Sequence, residues 1–370
     1  MSSCPQLTSF GEWVINTVFL LLDIRRLFME STITPTINII LMPTGIYAKV
    51  FNQPLNSVKF MQRHTIKNHL QLKNFSFLYR TKNSSNDDFS DNQNEVQDPD
   101  QNSPALVFSH ASGFNAQTYR QLFKQIDPSI DIYAIDQRGH GLTSAHANAD
   151  ELKSWRTYEE DLSEFVDWLD RPVILAGHSM GGAVSTKVAA MKPDRVKALV
   201  LVEPVIMPAM VDTVMGILKK LNLGQLIPLV NSAKNRRASF SSIDEAVENY
   251  TNKGAFKSWS RTWIEDYVIG GTVNNSQGGI SLSCKPEWEA KTFAVSGNNP
   301  WTAIKNLKCP ITIIKGKTGS SLHPLAVSRI QKLHPYLDYT LIDNASHFLP
   351  MEYPEQVAKK IHHTIAKIRN

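Results

Sequence analysis

The pentapeptide Gly177-His178-Ser179-Met180-Gly181 directly follows the apolar run VILA and opens the stretch GGAVSTKVAA. A serine hydroxyl is a weak nucleophile at neutral pH, and a sharp strand-to-helix turn is one way to present it for attack. Such a turn strains the serine backbone, so the residues two before and two after it must lack side chains that would collide; Gly177 and Gly181 meet that need. The pattern arises by chance roughly 0.1 times in a chain this long, so its placement between an apolar run and a helix carries the weight. The chemistry implied is attack by Ser179 on an acyl carbon.

Attack requires an imidazole to take the hydroxyl proton. Of eleven histidines, His347 stands in IDNASHFLPMEYP, just past the last strand-like run, where the end of a sheet would bring it beside Ser179. The oxyanion formed on attack needs two preorganised donors. One is expected from the backbone N–H of Met180, at the positive end of its helix. The other is expected from the loop Ser109-His110-Ala111-Ser112-Gly113-Phe114-Asn115, with the N–H of Ser112 preferred and that of Ala111 as alternate. His110 is read as a brace for this loop.

Positioning these groups takes a sheet. From residue 105 onward short apolar runs alternate with helical patterns, as in a parallel sheet covered on both faces. The runs are ALVF at 105, DIYAID at 131, PVILA at 172, VKALVLV at 196, PITIIK at 310 and YTLID at 339, with TYEEDLSEFVDWL and residues 181–190 as helices between them. An earlier strand is read as LQLKNFSFLYR, beginning at Leu70. The alternation stops at Glu203 and resumes near Leu307. The hundred residues between read as helices, including MVDTVMGILKKL and a capping box of Ser242 and Glu245 before EAVENY. The expected organisation is an apolar, basic extension over residues 1–69, a sheet domain over 70–204 and 305–370, and a helical cap over 205–304. Phe256, Trp259, Trp263 and Tyr267, at helical spacing, are expected in the cap's own core with Met207, Met210, Met215, Phe240, Trp288 and Phe293, a subset lining an apolar pocket over Ser179.

Charge and cysteine content narrow the function. The chain carries 39 basic and 34 acidic residues with no concentrated basic stripe, which argues against nucleic-acid binding. Eight basic residues stand against three acidic ones through Arg80, whereas residues 81–104 hold one against six and read as a solvated, disordered acidic loop. Cys4, Cys284 and Cys309 have neither disulfide-framework nor zinc spacing. The first residues lack the basic start and small-residue cleavage site of a secretory signal, so an intracellular location is favoured. Over residues 12–30, Glu12, Asn16, Asp23, Arg26 and Glu30 fall on one helical stripe and apolar residues cover the rest. Such a segment is expected to lie on a membrane surface as a peripheral contact, to dock on the catalytic domain, or to be a processed targeting segment.

Taken together, HASGF, Asp136-Gln137-Arg138-Gly139-His140-Gly141, the Ser179 turn and SHFLPMEYP resemble the α/β-hydrolase superfamily over residues 105–368. The resemblance implies an α/β fold with a mostly parallel sheet flanked by helices, and gives Asp136, Arg138 and His140 a structural role behind the site. Members usually carry the third triad residue, an aspartate, shortly after the strand that follows the cap. Here no acidic residue occurs over residues 305–337. The carboxylate is therefore assigned to Glu203 in LVLVEPVIM, at the end of the strand after the Ser179 helix, a layout similar to that of haloalkane dehalogenases. A salt bridge at the cap's entry is the competing role for Glu203, and Asp343 is the fallback acid.

Dehalogenases and epoxide hydrolases of this superfamily use an aspartate nucleophile, so Ser179 excludes that route. The expectation is a serine hydrolase that cleaves a small, hydrophobic carboxylic ester through an acyl-Ser179 intermediate without a cofactor or metal. Cleavage of a C–C bond, a lactone or a thioester by the same triad is the alternative. A non-catalytic binding protein of the same fold is the reading from another class. Oligomeric state is left open.

Overall fold

A computed structural model describes residues 61–81, 103–221, 223–296 and 299–369 of the 370-residue chain. In chain order the strands are β1 Gln62–Thr65, β2 Ser76–Arg80, β3 Ala105–Ser109, β4 Ile132–Ile135, β5 Val173–His178, β6 Val196–Val202, β7 Ser239–Phe240, β8 Thr272–Asn274, β9 Ile280–Leu282, β10 Ile311–Gly316 and β11 Asp338–Ile342. Eight of them form one sheet in the order β1-β2-β4-β3-β5-β6-β10-β11, antiparallel at β1-β2 and β2-β4 and parallel from β4 onward.

Strands β3, β4 and β5 are buried along their whole length, with both faces covered. Along β5, Ile174 and Ala176 face one core while Val173 and Leu175 face the other, as the two-residue period of a strand demands. The first core packs against Leu122 and Phe123 and against Val357, Ile361 and Ile365 of the helix Pro354–Arg369. The second takes Leu162 and Phe165 of Arg156–Leu169, Val184 and Val188 of Met180–Met191, and Ala326 and Ile330 of Pro324–Leu333. After β3 the chain crosses to β4 on one side, and later returns to β5 on the other. The carboxyl ends of β3 and β5 therefore border a crevice at a topological switch point.

Two expectations change at the amino-terminal edge of this domain. The early strand begins at Ser76, not Leu70: Leu70 is 95% exposed, and Asn74, at φ 68°, closes a turn that reverses the chain. The sheet also starts before residue 70, because Gln62–Thr65 pairs with β2 as an edge strand. Its sequence, QRHT, has no apolar alternation to reveal it.

Between β6 and β10 the chain forms helices Ala209–Lys220, Pro228–Lys234, Ile243–Tyr250, Arg261–Gly271 and Pro286–Ala294. It also forms a three-stranded antiparallel sheet in the order β7-β9-β8, so the insert is not purely helical. Ser242 caps its helix by accepting from Glu245 N–H at 3.1 Å, but the Glu245 carboxylate turns to Ser241 and Arg237, leaving the capping box half formed. Trp263 and Tyr267 share one helix, while Phe256 ends a 3-10 turn before it. Met210, expected inside, is half exposed. Residues 12–30, Cys4 and nearly all of the acidic loop lie outside the described residues. Among the described residues no helix is long and apolar enough to cross a membrane.

Candidate active site

Ser179 sits between β5 and the helix Met180–Met191 at φ 56° and ψ −117°, a region that side-chain-bearing residues rarely occupy. Its N–H donates to the Val202 carbonyl at 3.1 Å, tying the turn to the end of β6. The flanking glycines are obligatory: a Cβ on Gly181 would run into the Ser109 carbonyl, and one on Gly177 into the Gly181 backbone. Ser179 is 8% exposed.

His347 lies between β11 and the short helix Leu349–Glu352, with Nε2 at 3.0 Å from Ser179 Oγ. Its Nδ1 lies 3.4 Å from Glu203 Oε2, long for a hydrogen bond but of the kind that tightens once the imidazole is charged. Glu203 follows β6 directly, is fully buried and takes φ 47°. Its Oε1 accepts from Gly316 N–H at 2.5 Å, and its Oε2 accepts from Ser320 Oγ at 2.9 Å and from Ser321 N–H at 3.1 Å. Ser321 Oγ donates to the Glu203 carbonyl at 2.9 Å. The loop after β10, which lacks an acid, thus surrounds a carboxylate that comes from β6. Asp343, the fallback acid, is 73% exposed and ion-paired with Lys317 at 3.0 Å, away from the imidazole. The competing role for Glu203, a surface salt bridge, does not fit its complete burial.

The loop after β3 turns tightly at residues 111–114, where Phe114 N–H donates to the Ala111 carbonyl at 3.1 Å and Gly113 supplies a φ of 75°. Ala111 N–H donates to the Tyr119 hydroxyl at 3.0 Å, so the alternate oxyanion donor is already engaged. Ser112, second in the turn, makes no hydrogen bond through its N–H within that turn, and its buried hydroxyl oxygen has no partner among the described residues. Met180 opens its helix, where an N–H has no intrahelical acceptor. This geometry can pass the Ser179 proton to His347 and offer N–H groups to a developing oxyanion.

His110 braces this loop. Its Nε2 accepts from Gln137 N–H at 2.9 Å while its Nδ1 pairs with the Ala111 carbonyl at 2.7 Å, and complete burial pulls its pKa down to about 4. Asp136 accepts from Ala116 and Leu142 N–H and pairs with Arg63, Arg138 pairs with Asp161, and His140 is buried; all three stay clear of the Ser179 hydroxyl.

The insert presses on the same loops. Phe114 packs edge-on against Trp259 and Tyr267 at 5.3 and 5.8 Å between centroids, and lies 6.3 Å from Phe348. Arg236 donates to Glu289 at 2.6 Å and to the Tyr267 and Tyr250 hydroxyls at 2.5 and 3.2 Å. This polar cluster lies against the turn, since a Cβ on Gly113 would strike the Glu289 carboxylate. Sequence reading missed Arg236, Glu289, Ser320 and Ser321. None stands in a recognisable motif, and each acquires a role only through a partner far along the chain.

Residues 106–360 match the sequence profile of the "Alpha/beta hydrolase family". The chain is 24% identical over 261 residues to the 2-(acetamidomethylene)succinate hydrolase of Mesorhizobium japonicum, covering 70% of this chain and 86% of that protein. It is 28% identical over 159 residues to the monoglyceride lipase of Rattus norvegicus, covering 40% of this chain and 51% of the lipase. Among solved structures, the thioesterase domain from the curacin biosynthetic pathway superposes with a TM-score of 0.62 at 18% identity, over 82% of this chain and all of that domain. With the profile spanning most of its length, the chain belongs to the α/β hydrolase family and is a hydrolytic enzyme.

Proposed function

We propose that the enzyme cleaves a carboxylic ester of a small hydrophobic substrate through an acyl-Ser179 intermediate. The observation that carries this reading is the imidazole of His347, with one nitrogen on the Ser179 hydroxyl and the other facing the buried Glu203 carboxylate. As Ser179 Oγ bonds to the substrate carbonyl carbon, its proton moves to His347 Nε2, and Glu203 stabilises the imidazolium. The oxyanion is met by the N–H groups of Met180 and Ser112. Collapse breaks the bond to the alkoxide, which leaves with the proton from His347. Water, deprotonated by the same imidazole, then adds to the acyl carbon; collapse expels Ser179, which regains a proton, and releases the acid. Residues 205–304 act as a cap over this site, and the rings of Phe114, Trp259 and Phe348 supply an apolar wall. The similar 2-(acetamidomethylene)succinate hydrolase and monoglyceride lipase support hydrolysis of a small molecule.

A fluorophosphonate probe and a panel of p-nitrophenyl esters, thioesters and lactones test the proposal. Labelling and ester turnover are expected in the wild type, with both lost in Ser179→Ala. No labelling of folded wild-type protein, or labelling that survives the substitution, would overturn it.

A further inference from the structure

Two loops must keep their spacing during the proposed reaction: the turn that carries Ser112 and the loop that carries His347. Behind Ser179 they are joined through Tyr119 and His178, both fully buried. The Tyr119 hydroxyl lies 3.0 Å from Ala111 N and 2.7 Å from His178 Nδ1, and His178 Nε2 lies 2.8 Å from the His347 carbonyl oxygen.

The direction of each bond follows from its ends. Ala111 N–H can only donate, so the tyrosine oxygen accepts there and sends its own proton to His178 Nδ1. Nδ1 is then an acceptor, which leaves the proton of the neutral ring on Nε2, facing a carbonyl that can only accept. Protonating His178 would place an N–H on both nitrogens and leave the Tyr119 proton without an acceptor. Complete burial, together with the nearby His347 ring, holds the His178 pKa well below its ordinary value, in keeping with the neutral form.

We infer that Tyr119 and His178 are positioning residues of the hydrolytic site, linking the oxyanion turn to the His347 loop through one hydrogen-bonded chain of fixed polarity. This rests on the serine-hydrolase reading above. Both ends of the chain are backbone groups: one belongs to the residue before Ser112, the other to His347 itself. Slackening it shifts an oxyanion donor and the base relative to Ser179, and misplacement of about 1 Å in such a site costs on the order of 100-fold in rate.

The test uses the full chain, with active sites titrated by fluorophosphonate so that misfolded protein is not counted. Tyr119→Phe keeps the ring packed against Phe108 and Phe123 and removes only the hydroxyl. It is expected to lower kcat per titrated site by about 10-fold or more while KM changes less than about twofold. His178→Gln, whose amide can still donate toward the His347 carbonyl, is expected to retain several-fold more kcat than His178→Leu. The histidine pair decides the matter if Tyr119→Phe fails to fold. Unchanged kcat per site in Tyr119→Phe, or equal losses in His178→Gln and His178→Leu, would overturn the inference alone. Absence of labelling in the wild type would overturn the hydrolase reading and this one with it.

Discussion

Glu203 shows how much local geometry a single carboxylate can require. It sits at positive φ, fully buried, and gathers two backbone N–H groups and one serine hydroxyl around its oxygens. Such donors compensate the desolvation of a buried charge and leave the carboxylate aimed at His347. Glu203→Gln keeps the shape but turns an amide donor toward groups that are themselves donors, and it removes the charge facing the imidazole. Under the proposed mechanism kcat is expected to fall by about 1,000- to 10,000-fold with Ser179 still in place. Asp343→Asn is expected to change it less than about twofold, because that side chain is exposed and paired with Lys317. Steady-state kinetics on the two variants would separate them, and the reverse ranking would move the acid to Asp343. Within the sequence, Ser179 and His347 could be picked out because each stands in a local pattern. Ser320 and Ser321 could not, because a serine pair in a loop reads as a turn until the glutamate it holds is known.

At the scale of elements, the helix Pro286–Ala294 is seated on the hydrolase core by two consecutive residues. Trp288 lies over Gly139 and donates from Nε1 to the Arg138 carbonyl at 3.1 Å, while Glu289 lies over Gly113. Both glycines have positive φ, at 71° and 75°, and both approach the insert closely enough that a Cβ would collide. The glycine of the DQRGHG turn thus admits the insert's tryptophan as well as shaping the turn. Gly139→Ala would add backbone strain and displace Trp288, at an expected cost of about 1–3 kcal/mol. Chemical denaturation followed by tryptophan fluorescence would measure it; an unchanged midpoint would show that the helix does not depend on this seat. The long parallel strands were legible from their apolar runs. The edge strand Gln62–Thr65 and the two-residue strand Ser239–Phe240 were not, because QRHT has no apolar residue and is partly exposed along its whole length, and two residues are too few to carry a period.

Across the whole molecule, three fully buried histidines, His110, His140 and His178, couple stability to pH. Burial depresses the first to about 4 and, aided by the neighbouring His110 ring, the second to about 3, and places the third well below its ordinary value of 6.5. In each case the unfolded chain takes up a proton at higher pH than the folded one. Stability is therefore fully present above about 6.5 and is lost as pH falls toward the depressed values. Each histidine contributes a slope on the order of 1 kcal/mol per pH unit within that window. Thermal unfolding between pH 8 and 4 is expected to show a flat midpoint down to about pH 6.5 and a progressive fall below it. A midpoint that holds steady to pH 4 would mean that these rings are protonated in the folded protein.

The sequence by itself determined the sheet class, the strained turn at Ser179 and the position of His347 after the last strand. Those features depend on neighbours within a few residues and on strand-length apolar runs. The lack of an acid after β10 already pointed to Glu203; only the tertiary structure decided that this carboxylate, and not Asp343, faces the imidazole, what holds it there, and how the insert lies on the loop after β3. Glu203 and His347 are 144 residues apart, and Tyr119 and His178 are 59 apart. Their distances follow from the register of β6, β10 and β11 and from the crossovers between strands, which no local pattern encodes.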